Sequence, residues 1–149
     1  MSAPSPSLQE LATAMRAQFE HVLEKSMGHR RTDRTCALGS ILVANAVRQF
    51  TTMPATIRGG AGRTEGLRDR EGCWQGHYWV EVQAPEGPTI VDITADQFGW
   101  PPVLIAPAAG MEGVYRAGDQ ALVDVHIEAA LAWIAADEDD ADRLQPVGA

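Results

Sequence analysis

Cys36, His77 and Asp92 are the residue types of an activated sulfur nucleophile: a thiol that attacks, an imidazole that moves its proton, and a carboxylate that orients the imidazole. Cys36 opens a predicted helix. His77 opens the alternating strand Gly76-His77-Tyr78-Trp79-Val80-Glu81-Val82, and Asp92 interrupts the apolar strand Thr89-Ile90-Val91-Asp92-Ile93-Thr94. A thiol attacks as its thiolate. An ordinary cysteine ionises near pH ~8.5, and a helix N-terminus or an adjacent imidazolium lowers that value by several units. The unsatisfied N–H groups of a first helical turn favour an anion there and can hold the oxyanion of a tetrahedral intermediate. Taken singly, Cys36 also fits a small apolar residue on a buried helix, and His77 a satisfied strand histidine. The combination shifts the reading, because an ionisable residue among Ile90, Val91 and Ile93 is costly unless partnered.

Strand alternation puts His77, Trp79, Glu81 and Gln83 on one face and Tyr78, Val80 and Val82 on the other; Ile90, Asp92 and Thr94 share a face of the next strand. A hairpin register that sets His77 opposite Asp92 makes Asp92 the orienting acid. A register that sets Asp96 opposite His77 makes Asp96 the alternative.

Three helices and a small sheet must position these groups. Ser7-Leu8-Gln9-Glu10 fits a capping box, and Leu8, Leu11, Ala12, Met15, Phe19, Val22 and Leu23 recur at helical spacing before Gly28. Residues 28–35 form a polar loop in which Asp33 or Thr35 caps the next helix, from about Cys36 to Phe50. That helix is apolar around much of its circumference, which predicts a central, buried position. Pro54 ends it. Ala55-Thr56-Ile57-Arg58 is a short strand, and Gly59, Gly60, Gly62, Gly66 and Gly72 mark a mobile loop. Pro85-Glu86-Gly87-Pro88 turns the His77 strand into the Asp92 strand. Val103-Leu104-Ile105, flanked by prolines, is an edge strand. A last helix spans about Gln120 to Ala136, with Leu122, Val125, Ala129, Ala132 and Trp133 on one stripe. The expected fold is α+β in one domain, with a disordered tail at 1–6, a folded domain at 7–136 and an acidic tail at 137–149.

At 149 residues the chain suffices for one domain with a real core. A net charge of −8 argues against binding nucleic acid or anionic lipid, and no apolar run reaches the roughly 20 residues of a membrane span. The segment Asp137-Glu138-Asp139-Asp140-Ala141-Asp142 holds five of the 20 acids and reads as a solvated tail. Arg58, with Arg30, Arg31, Arg34, Arg63, Arg68 and Arg70, lies in the stretch flanking the site. A basic rim there suits an acidic substrate; the plainer reading pairs these arginines with Asp33, Glu65, Asp69 and Glu71. The N-terminus lacks a secretory pattern and only two cysteines occur, so a reduced, cytoplasmic setting without disulfides is expected.

Thr35-Cys36-Ala37-Leu38, Gly76-His77-Tyr78-Trp79-Val80-Glu81-Val82 and Ile90-Val91-Asp92-Ile93-Thr94 together resemble the core of the transglutaminase-like branch of the papain-like thiol enzymes, over residues 33–98. The resemblance implies a helix bearing the cysteine packed on a small antiparallel sheet bearing the histidine and aspartate. It implies Cys36 as nucleophile, His77 as general base and acid, and Asp92 as orienter, in a peptidase, amidase, deamidase or protein cross-linker acting on a peptide, protein or small amide. Trp79 and Glu81 also match family positions. Trp79, Gln97 and Arg58 are the candidate substrate-binding residues, Gln97 as an oxyanion donor or as part of a turn. No cofactor is implied. Two other readings stand beside this one. Trp74, Trp79 and Trp100 with the glycine-rich loop suit a catalytically silent interaction module. Cys73 and His77, joined by Cys36 and His126, offer zinc ligands at no recognised spacing.

Overall fold

Ser7 starts the first helix as read from its sequence: its hydroxyl accepts the Glu10 N–H at 3.0 Å. α1 (Leu8–Met27) then ends at Gly28, whose φ of 73° is the left-handed cap that glycine adopts without a Cβ clash. The computed structural model describes residues 6–28 and 35–144. Residues 1–5 of the Pro/Ser tail, and the loop bearing Arg30, Arg31, Asp33 and Arg34, lie outside the described residues. Chain order continues through α2 (Cys36–Phe50), β1 (Ala55–Gly60), β2 (Gly66–Arg68), β3 (Trp74–Gln75), β4 (His77–Ala84), β5 (Gly87–Asp92), a single 3₁₀ turn (Ala95–Phe98), β6 (Leu104–Pro107), β7 (Tyr115–Arg116) and α3 (Gln120–Leu144).

The protein is α+β: helices packed on a small antiparallel sheet of order β1-β4-β5-β6. Alternation along β4 and β5 separates two cores. Val80, Val82 and Val91 meet Ile41, Ala44 and Val47 of α2, Phe19 and Leu23 of α1, and Val123 and Ile127 of α3. Trp79 and Ile90 face the other way, toward Leu67 and Tyr115. Each such aliphatic or aromatic side chain contributes roughly 1.5–3 kcal/mol on burial, so both sheet faces are held.

Leu67 and Tyr115 belong to a second antiparallel sheet, β3-β2-β7, whose middle strand lies within the stretch expected to be a mobile glycine loop. Its strands are two or three residues long, too short to show a period of alternation. Gly66, at φ 104°, turns the backbone tightly against Gln75, so a residue that reads as a loop breaker is what lets these strands pair.

α3 differs from its expected orientation. The stripe Leu122, Val125, Ala129 and Trp133 faces out, with Trp133 71% exposed. Val123, Ile127, Ala130 and Ile134 meet the core instead. The helix carries two apolar stripes, and its own periodicity cannot choose between them. It also runs to Leu144, through the acidic run expected to be a tail.

Gly39 sets how closely α2 approaches the end of β5. A Cβ there would lie 2.8 Å from Thr94 Cγ2 and 3.4 Å from Ile93 Cγ1. Glycine to alanine inside a helix ordinarily stabilises by about 1 kcal/mol. Here Gly39→Ala is expected to destabilise by about 1–3 kcal/mol, because Thr94 must turn away from Asp92 to admit the methyl group. Urea unfolding of the two proteins checks the sign.

Candidate active site

The hairpin register brings His77 and Asp92 together. Val80 pairs with Val91 and Glu81 with Ile90, which sets Asp92 level with Trp79, one step along the same face from His77. The register lies between the two weighed from sequence, and the diagonal neighbour is still within reach of a histidine ring. His77 Nε2–H donates to Asp92 Oδ2 at 2.7 Å, with the two residues 1% and 2% exposed.

Asp92 ends β5, and the backbone that follows wraps around it. The Thr94 N–H donates to Oδ1 at 2.9 Å and the Thr94 hydroxyl to the same oxygen at 3.3 Å. The Tyr115 hydroxyl donates to Oδ2 at 2.7 Å. Burial alone would raise the Asp92 pKa. The positive charge and hydrogen bond of His77, with the donors from Thr94 and Tyr115, instead hold the carboxyl below its usual range. Burial likewise opposes a charged His77, yet the charge of Asp92, its hydrogen bond and then Cys36 prevail, and the ring is pushed up to about 10. The pair is therefore an imidazolium–carboxylate pair at neutral pH.

Cys36 sits at the N-terminus of α2, half-buried, within hydrogen-bonding reach of the His77 ring. Asp92 occupies Nε2, so Nδ1 is the ring nitrogen turned to other partners. Tyr78, on the opposite face of β4, also feels a charge on Cys36: burial and then that charge raise its phenol pKa. Thr35 places no side-chain cap on α2, and the first backbone bond of the helix runs from Gly39 N–H to Thr35 O at 3.0 Å. The N–H groups of Cys36, Ala37 and Leu38 precede it and have no acceptor within the helix. The sulfur and an array of donors share one end.

Gln97 joins the cluster. Its amide nitrogen lies 3.3 Å from His77 Nδ1 and donates to Thr94 O at 3.0 Å. The 3₁₀ turn that carries it is anchored from α1: Arg16 grips Asp96 with two bonds, 2.8 and 2.9 Å, and donates to Ile93 O at 2.7 Å. Asp96 is thus committed to Arg16, and Asp92 is the acid that orients His77. Phe98, on the same turn, meets the His77 ring edge-on at 5.4 Å.

Trp79 is buried beside the His77 ring, and Arg58 is engaged elsewhere. Trp79 is 3% exposed and packs edge-on against Tyr115, with centroids 5.0 Å apart. Arg58 bonds Gln120 at 3.1 Å and lies 3.5 Å from Glu81. Arg68 and Arg70 bond backbone carbonyls of Gly72 and Gly99 rather than the acids expected as partners. Cys73 is exposed, His126 bonds the Tyr78 hydroxyl, and among the described residues no three His, Cys, Asp or Glu side chains converge as a metal requires. Two clefts, of about 320 and 380 Å³, open between α2, β1 and α3 and beside Trp79 and Tyr115; neither is lined by Cys36, His77 or Asp92.

Tyr115, Thr94 and Arg16 were not legible as site residues. Tyr115 lies 23 positions beyond Asp92 and on the other sheet, with nothing in its local sequence to mark a carboxylate partner. Thr94 shared a face with Asp92, which was the only signal.

The raised pKa of His77 contributes stability that is complete below its unfolded value near ~6.5 and disappears as pH climbs toward about 10. The depressed pKa of Asp92 contributes stability that is complete above ~3.9 and disappears as pH falls. Stability should therefore be flat between about pH 4 and 6.5 and fall on both sides. Urea midpoints across pH should show the alkaline slope in the wild type and a weaker one in His77→Phe.

No family model, curated protein or solved structure matches this chain, and its site stands on its own geometry.

Proposed function

We propose that the chain is a thiol-dependent hydrolase or acyl transferase that cleaves an amide or peptide bond through Cys36, His77 and Asp92. The observation that carries this reading is the buried 2.7 Å His77–Asp92 pair with a half-buried thiol interacting with the same ring. The arrangement fits the core of the transglutaminase-like thiol enzymes, with Cys36 on the helix and His77 and Asp92 on the sheet.

His77 holds the thiol proton on Nδ1 as an imidazolium beside the Cys36 thiolate, and the sulfur attacks the carbonyl carbon. The oxyanion that forms is held by the first-turn N–H groups of α2 and by the Gln97 amide, which a protonated Nδ1 leaves free to donate elsewhere. His77 then gives its proton to the departing amine, the C–N bond breaks, and an acyl-enzyme remains. Water, activated by the same nitrogen, attacks the thioester and frees the acid; an amine in its place gives acyl transfer. Asp92 keeps the ring in one orientation and stabilises its charged form throughout. Substrates are peptides, proteins or small amides, and a free nucleophilic thiol suits a reducing compartment such as the cytoplasm.

The alternative of a silent interaction module draws less support. Trp79 is buried, and Trp74 and Trp100 lie under Arg116 and Arg70 at 4.7 and 4.0 Å.

Cys73, exposed and remote from any imidazole partner described, supplies an internal control. At pH 6 Cys36 should alkylate with iodoacetamide at least about tenfold faster than Cys73, and His77→Ala should remove the difference. Cys36→Ser should lower turnover of a responsive amide or ester by about a thousandfold or more while leaving the fold intact. Mass spectrometry of each labelled peptide gives the rates; equal, slow labelling of both cysteines would sink the proposal.

A further inference from the structure

We propose that Tyr115 is a positioning residue that sets how strongly Asp92 holds His77. Four donors converge on the Asp92 carboxylate. Thr94 supplies two to Oδ1, at 2.9 and 3.3 Å, while His77 Nε2 and the Tyr115 hydroxyl both address Oδ2 at 2.7 Å. The two donors on Oδ2 share one oxygen's charge. Whatever density the phenol draws is taken from the bond to the imidazole.

Tyr115 can only donate. Burial, then the charge of Asp92 and the hydrogen bond to it, raise its phenol well above the ordinary range, so the hydroxyl keeps its proton. Nor can it swing aside. The residue is 6% exposed, its ring stands at 70° to Trp79, and Trp79 lies alongside His77 at 6.4 Å. Its backbone is fixed by pairing with Leu67 and by its N–H bond to Met111 O at 2.8 Å. The small sheet therefore holds an oxygen against the face of Asp92 opposite the thiol.

The catalytic consequence rests on the function proposed above; the linkage from Tyr115 to His77 does not. His77 is addressed by Asp92, Cys36 and Gln97, and Asp92 by His77, Thr94 and Tyr115. In the reaction His77 must surrender its proton to the leaving amine and then take one back from the attacking water. An imidazolium gripped by an undiluted carboxylate is a poor acid. Tyr115 weakens the grip while leaving Asp92 ionised and oriented.

The test is an NMR titration of the His77 ring nitrogens in the wild type, in Tyr115→Phe, and in a protein carrying 3-fluorotyrosine at position 115, whose more acidic phenol donates more strongly. Tyr115→Phe should move the His77 midpoint up by about half a unit or more, and fluorotyrosine should move it down. Turnover of an amide should fall about tenfold in Tyr115→Phe relative to a p-nitrophenyl ester, whose leaving group needs no proton. An unmoved or lowered midpoint in Tyr115→Phe overturns the proposal. Should that variant fail to fold, the fluorotyrosine protein decides, and an unmoved or raised midpoint overturns it. Failure of the catalytic reading looks different: His77 shifts as expected beside a Cys36 that alkylates no faster than Cys73.

Discussion

The contact between His77 and Asp92 imposes its conditions on everything around it. Both side chains are withdrawn from water, and each would sit there at a loss of several kcal/mol if its partner were displaced. The pair is tenable because every strong acceptor site on the carboxylate is used. His77 and Tyr115 take one oxygen, and Thr94 takes the other twice. Such a pair tolerates little slippage. A shift of one residue in the β4–β5 register would turn Asp92 to the opposite face, among Val80, Val82 and Ile41.

Several features that look unrelated become parts of one arrangement. Gly39 brings α2 against Ile93 and Thr94, which places Cys36 at the ring while Thr94 stays on Asp92. Arg16, from α1, clamps Asp96 and the Ile93 carbonyl and so fixes the turn that bears Gln97 and Phe98. The small β3-β2-β7 sheet closes the other side with Leu67 and Tyr115. Three separate structural units thus end on one imidazole–carboxylate pair. In the proposed reaction α2 delivers the nucleophile and the opposite face of the sheet its electrostatics.

How much of this could be read from the amino acids follows from the range of the interactions. Cys36, His77 and Asp92 were visible because local rules mark them: a helix start, a two-residue alternation, and an acid stranded in an apolar run. The hairpin was visible from Pro85-Glu86-Gly87 between two strands. Asp96 could not be told from Asp92 without the register, since alternation gives both the same face. Its true partner, Arg16, is 80 positions away. The second sheet escaped because its strands are too short for periodicity. The inner stripe of α3 escaped because Val123 and Ile127 compete with Leu122 and Val125 on equal local terms. What the sequence hid is in each case a choice made by tertiary packing.

A buried ion pair is a poor way to stabilise a domain, since apolar residues of the same volume serve as well or better. A purely structural account of His77 and Asp92 would therefore leave their retention without a benefit. It would also leave unexplained why Nδ1, the nitrogen that Asp92 does not use, meets the Gln97 amide, and why a thiol interacts with the ring, in place of hydrocarbon. Trp79 and Phe98 do supply the apolar packing on two sides of the ring. The thiol that interacts with the ring stands at the first turn of α2 instead. A catalytic account needs just this asymmetry: one ring nitrogen locked in the interior, the other held ready at the boundary where an acyl group can arrive.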